Sequence, residues 1–158
     1  MMRSTTRRRF ALSGMVAACA LFTSVLSQHP ASADSAPKAE VMVLHGTDCP
    51  APKVDPSIGE VPPLKHNCWA LLDRKTLQLN QGSGSTMVLA NGRTFQIVYN
   101  GKTNDNPPRF KVATSISKTD GAGYNPLAEI SAEPGKKFHV GGFVHQNGTL
   151  LLAIRITP

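Results

Sequence analysis

Residues 137–156 decide the fold of this chain, and they read KFHVGGFVHQNGTLLLAIRI. Two apolar runs flank a turn centred on Asn147 and Gly148, residue types that tolerate the positive φ angles of tight hairpin turns. The second run, residues 150–156, is the most continuously apolar segment after residue 33. A run of that length beside a turn is typical of a strand that is buried on both faces. The stretch therefore predicts a hairpin around which other strands pack.

Gly141 and Gly142 interrupt the first strand of this hairpin. Paired glycines can cradle a phosphate when they open a helix, but no helical pattern follows these two. Glycine inside a strand is more typical of a bulge or of a close approach between backbones. We therefore expect a β-bulge or a close backbone approach at this position.

A second hairpin and several shorter segments extend the strand pattern along the chain. Asn91 and Gly92 separate runs at residues 86–90 and 93–99, and Phe95, Ile97 and Tyr99 alternate onto one face of the second run. Further strands are expected at residues 40–45, 69–72, 76–79 and 109–117, with a polar break at residues 73–75, and residues 126–132 carry the apolar Leu127 and Ile130. No segment places apolar residues convincingly at helical spacing. The sequence therefore predicts one all-β domain, an antiparallel β-sandwich or small barrel of about eight short strands.

The first 33 residues have the composition of a signal peptide. Arginines at positions 3, 7, 8 and 9 precede an apolar run at residues 10–26, and Ala31-Ser32-Ala33 matches the small-x-small pattern that signal peptidase cleaves. The apolar run is shorter than the ~20 strongly apolar residues of a transmembrane anchor. We therefore predict cleavage after Ala33, export to the periplasm or the extracellular space, and a mature β-sandwich domain at residues 34–158.

Two short motifs within this leader bear on the route of export. Residues 6–12, TRRRFAL, resemble the twin-arginine export signal, which would imply a bacterial protein exported in its folded state. An arginine-rich general export leader is the alternative. Residues 16–19, VAAC, resemble a bacterial lipobox, but the chain stays apolar after Cys19, where lipoproteins usually turn polar. We therefore expect neither a lipid anchor at Cys19 nor a transmembrane anchor in the mature chain.

The charge of the mature domain is small. Four of the 17 Lys and Arg lie in the leader and none of the 10 acidic residues do, which leaves 13 cations against 10 anions and a net charge of +3. The charged residues are scattered, and no basic stripe with interleaved aromatic residues is present. A nucleic-acid partner is therefore not expected.

Cys49 and Cys68 lie at the two ends of a proline-rich stretch, residues 47–67, and they lead to two alternative predictions. An even number of cysteines in an exported chain favours one disulfide, which would staple this long loop at its base. Alternatively, His45, Cys49, His66 and Cys68 would bind zinc or copper, since thiolate and imidazole suit both metals. The spacings do not match a recognised zinc module, and an oxidising compartment favours the disulfide.

No motif in the sequence identifies a catalytic centre. The segment Gly82-Ser83-Gly84-Ser85 does not form the Gly-x-Ser-x-Gly nucleophile elbow of hydrolases. We therefore predict a non-catalytic binding or structural module without a cofactor, which presents a sheet face or the loop at residues 47–67 to an unknown protein or cell-envelope partner. The alternative is a periplasmic copper- or zinc-binding protein that uses the four-residue set defined above.

Overall fold

The computed structural model describes residues 35–158. The predicted signal peptide at residues 1–33, with its arginine motif and Cys19, lies outside the described residues. Nine β-strands and one short 3-10 helix, Pro56–Ile58, make up the described part of the chain. The strands are β1 Lys38–Thr47, β2 Lys53–Val54, β3 Cys68–Gln78, β4 Gly84–Val88, β5 Thr94–Lys102, β6 Phe110–Ser117, β7 Tyr124–Ala132, β8 Lys137–His145 and β9 Gly148–Thr157.

Two separate sheets pack face to face, which makes the domain a sandwich rather than a barrel. The five-stranded sheet has the order β2-β3-β1-β9-β8, and the four-stranded sheet has the order β4-β5-β6-β7. All named strand pairs are antiparallel except the two-residue pairing of β2 with β3. The predicted all-β sandwich is confirmed. Within residues 35–158, no helix combines the length and the apolar character needed to cross a bilayer.

Strand β9 is buried on both faces, as residues 150–156 predicted. Leu150, Leu152 and Ile154 point into the main core between the two sheets. Leu151 and Ala153 point the other way, into a smaller apolar cluster on the outer face of the five-stranded sheet. This strand lies between β1 and β8, so both of its edges are also paired. Its almost continuous apolar sequence follows from this central position.

The outer cluster is covered by residues 48–67, which we call the strap. Ile58 of the strap is only 1% exposed and packs with Met42, Leu44 and Trp69. Two hydrogen bonds hold the strap near Ile58: Lys137 Nζ donates to the Ile58 carbonyl (2.9 Å), and an Arg74 Nη donates to the Ser57 carbonyl (2.8 Å). The long proline-rich loop is therefore an ordered cover over a sheet face, and not over an end of the core.

Two details of the predicted strands were wrong. Residues 73–75 do not break the chain into two strands, because Asp73, Arg74 and Lys75 pair with β1 inside one continuous strand, β3. Their polar side chains are tolerated because they are exposed, while the backbone keeps its ladder of hydrogen bonds. The closing hairpin turns one residue earlier than predicted, since His145 pairs with Gly148 and the turn consists of Gln146 and Asn147.

Candidate binding site at one end of the sandwich

The strap is closed by a disulfide at one end of the sandwich, which we call the disulfide end. Cys49 and Cys68 are bonded, with their Cα atoms 6.1 Å apart. Asn67 reinforces the closure: its Oδ1 accepts from the Cys49 N–H (2.9 Å) and its Nδ2 donates to the Cys49 carbonyl (2.7 Å). The predicted disulfide is confirmed, and it fixes the base of the strap to the first residue of β3.

His66 is held in place by contacts on both ring nitrogens. Nδ1 lies 3.2 Å from Asp48 Oδ1, and Nε2 lies 3.0 Å from Thr149 Oγ1. The ring meets the Trp69 ring edge to face, at 5.7 Å between centroids. Both rings lie over Gly46, where an added Cβ would come within 2.8 Å of each. His66 therefore joins the strap to the sheet.

The four residues of the metal hypothesis are not assembled in the oxidised chain. The disulfide takes both thiolates, and His66 lies on the outer face of the sheet with its nitrogens engaged. His45 faces the opposite side of the sheet, the same side as Val41 and Val43. Among residues 35–158, no group of three or more His, Cys, Asp or Glu is placed to hold a metal ion. The four-ligand hypothesis stays a prediction, and it applies to the reduced chain.

The remaining two histidines of the described chain occupy different faces of β8. His139 pairs with Ala153 of the outer cluster, and burial lowers the pKa of its ring, with Glu60 opposing and Lys137 adding to this effect. His145 contacts His45 instead, with 5.2 Å between ring centroids.

A groove of about 870 Å³ opens at the disulfide end, where the β4–β5 and β6–β7 turns approach β8. Its volume falls within the range of about 300–1,000 Å³ that is usual for ligand sites. Its walls are Asn91, Gly92, Arg93, Thr94, Ser117, Lys118, Thr119, Gly121, Gly123, Tyr124, Gly142, Phe143 and Val144. Sequence reasoning missed this site, since its residues come from three segments that read separately as turns or strand.

The groove is cationic and partly apolar. Arg93 and Lys118 contribute positive charge, and no Asp or Glu is among the lining residues. Arg93 is fixed in position because its Nε (2.8 Å) and an Nη both donate to the Ser117 carbonyl. Tyr124 and Val144 are 39% and 83% exposed, so they offer apolar surface to a ligand. The arrangement suits a ligand that combines negative charge with apolar groups.

The bulge in β8 shapes one wall of the groove. Gly141 and Gly142 have φ angles of 144° and 99°, and the register of β8 against β9 shifts between Gly141 and Phe143. A Cβ on Gly141 would lie 3.0 Å from the Leu150 carbonyl oxygen. The bulge predicted from the paired glycines is therefore confirmed. Residues 142–144, which line the groove, start within this bulge.

Comparisons with known proteins find no relative of this chain: no protein-family model, no curated protein and no solved structure matches it. The class that the fold defines is an all-β sandwich with a disulfide-closed strap.

Proposed function

We propose that this chain is an exported, non-catalytic binding module whose groove at the disulfide end takes an acidic, extended peptide segment of a cell-envelope protein. Export rests on the leader sequence and on the disulfide, which persists in oxidising compartments. The absence of a nucleophile motif from the sequence is the reason to propose binding without catalysis. The observation that carries the proposal is the cationic groove, lined by Arg93 and Lys118 without an acidic residue.

The strand order favours a peptide over other acidic ligands. Strands β7 and β8 are the edges of their sheets, and both contribute residues to the groove. An edge strand presents backbone N–H and C=O groups with which an extended peptide can pair. Tyr124 at the start of β7 and Val144 on β8 would contact alternate side chains of such a peptide.

Fluorescence anisotropy tests this proposal with three labelled decapeptides that share the same Val and Phe positions and carry Glu, Gln or Lys at the alternating positions. We expect affinity to fall in the order Glu, Gln, Lys, and we expect added salt to weaken the Glu peptide most, because exposed charges are screened. Equal binding of all three peptides would contradict a cationic site. Binding of polygalacturonate but not of the Glu peptide would replace the peptide by an acidic polysaccharide.

A pair of charge reversals locates the site. Lys118→Glu places an anion in the groove, whereas Lys65→Glu makes the same change of net charge on the exposed strap. We expect Lys118→Glu to weaken the Glu peptide by about tenfold or more, which corresponds to about 1.4 kcal/mol. Lys65→Glu should have little effect at 150 mM salt. Equal losses from the two variants would show that binding depends on net charge and not on the groove.

A further inference from the structure

Two histidine rings meet at the disulfide end, outside the lining of the groove. His45 lies near the end of β1 and His145 ends β8, with β9 between these strands. Their ring centroids are 5.2 Å apart, and the ring planes are inclined by 71°. Gly148 is the residue of β9 directly opposite His145. Because Gly148 has no side chain, the two rings reach each other across the intervening strand.

The Nε2 atom of His45 is buried, and it has no hydrogen-bond partner among residues 35–158. A Cβ added to Gly148 would lie 2.8 Å from this nitrogen, so the nitrogen faces the space that glycine leaves open. Buried polar atoms are normally satisfied, and one without a partner calls for an explanation such as an ion. The His66 nitrogens, by contrast, both have partners within the protein.

We propose that His45 and His145 together bind one divalent late transition-metal ion. Neutral imidazole is a good ligand for copper, nickel and zinc, and copper(II) gives the most stable complexes of the divalent series. A metal about 2.0 Å from each ring nitrogen lies about 3.1 Å from each ring centre, so two ligands at a tetrahedral angle have centres about 5 Å apart. The observed separation of 5.2 Å leaves room for such an ion, and it also lies within the range of an edge-to-face ring contact, so the experiment below decides between the two.

The site offers two protein ligands and leaves the other coordination positions to water. This follows because no third His, Cys, Asp or Glu of residues 35–158 joins the pair in a metal-binding group. His45 also borders a 430 Å³ depression, whose other walls are Thr47, Lys53, Asp55, Pro56, Cys68, Trp69 and Ala70. The histidine pair is independent of the peptide-binding function and differs from the four-residue metal set predicted from the sequence, since it uses neither cysteine.

Titration of the exported, untagged chain with copper(II) chloride tests the proposal. We expect one equivalent to bind by calorimetry, with an EPR spectrum that shows coupling to imidazole nitrogen. His45→Gln and His145→Gln should each weaken binding by about tenfold or more, because each removes one of two protein ligands. His139→Gln is the matched control, since His139 lies on the same strand but on the outer face, and it should bind copper as the unmodified chain does.

A second measurement on the unmodified chain covers the case in which His45→Gln fails to fold. Zinc chloride is added to the ¹⁵N-labelled chain, and the ring signals of all histidines are followed by NMR. Shifts confined to His45 and His145 support the site. Shifts at His66 or His139 instead, no shift at any ring, or copper binding that both glutamine variants retain would each overturn the proposal and show that the rings make only an edge-to-face contact.

Discussion

Replacing Ile58 by alanine should lower the free energy of unfolding by about 3 kcal/mol. Ile58 is 1% exposed and is the strap residue buried in the outer cluster, against Met42, Leu44 and Trp69. The substitution removes three carbon atoms, which is about 2.4 kcal/mol at about 0.8 kcal/mol each, and the cavity left behind adds to this loss. For the 124 residues 35–158 this corresponds to a fall in Tm of about 10 °C.

The assay uses the single tryptophan of the chain as its probe. Trp69 is 3% exposed beneath the strap, so its emission should be blue-shifted in the native state and should move to longer wavelength on unfolding in urea. Ile58→Ala should shift the urea midpoint to a lower concentration. A red shift of the native spectrum in this variant would show in addition that the strap has loosened.

Val61→Ala is the matched control, because Val61 lies on the same strap but is 58% exposed. Its cost should stay within about 0.5 kcal/mol, as for most surface substitutions. If Ile58→Ala and Val61→Ala cost the same small amount, then the strap does not cover the sheet and Ile58 is not buried in the outer cluster.

Three further predictions concern the disulfide, a half-buried histidine and a glycine. Cys49→Ser with Cys68→Ser should cost about 3 kcal/mol, measured by urea unfolding, because the 19-residue separation is no longer closed in the unfolded chain. Burial lowers the pKa of His139 in the folded protein below its ordinary 6.5. The neutral His139 ring is therefore favourable to folding above pH 6.5, and this stability is lost as the pH falls from 6.5 through the native pKa. His139→Gln should flatten the dependence of the urea midpoint on pH between 7.5 and 5. Gly148→Ala should cost more than about 3 kcal/mol or prevent folding, since its Cβ would collide with the Gly46 carbonyl, whereas Gly92→Ala, at a turn with open space, should fold and lose only about 1 kcal/mol.

The strands were predictable because their signals are local. Alternation of Phe95, Ile97 and Tyr99 is a property of one segment, and all three side chains are buried in the main core. The predicted break at residues 73–75 was wrong because a strand is held by its neighbours as well as by its own propensity: β1 pairs with β3 along almost its whole length. Local polarity reported the exposure of these side chains and not the course of the backbone.

The groove was not predictable, because its residues belong to segments that are far apart in the sequence. Arg93 directly precedes β5, Lys118 directly follows β6 and Val144 lies on β8. No one of these segments has a sequence feature that marks it as part of a site. The prediction that did concern a site, the four-residue metal set, relied on sequence proximity at the two ends of one loop. Successive residues of a strand face opposite sides of the sheet. His45 therefore faces the side opposite to the one on which the His66 ring lies over Gly46.

Gly148 shows why the histidine pair could not be predicted from the sequence. Glycine serves a protein either by adopting positive φ angles or by lacking a Cβ, and the sequence does not distinguish the two uses. The pair Asn147-Gly148 favoured the first use, a turn residue. The structure instead places Gly148 inside β9, outside the positive-φ positions, with the Gly46 carbonyl and His45 Nε2 close to the position that a Cβ would take. A shift of the turn by one residue therefore changes what the glycine does. Its missing side chain is what allows His45 and His145 to meet, and this follows only from the register of three strands, β1, β9 and β8.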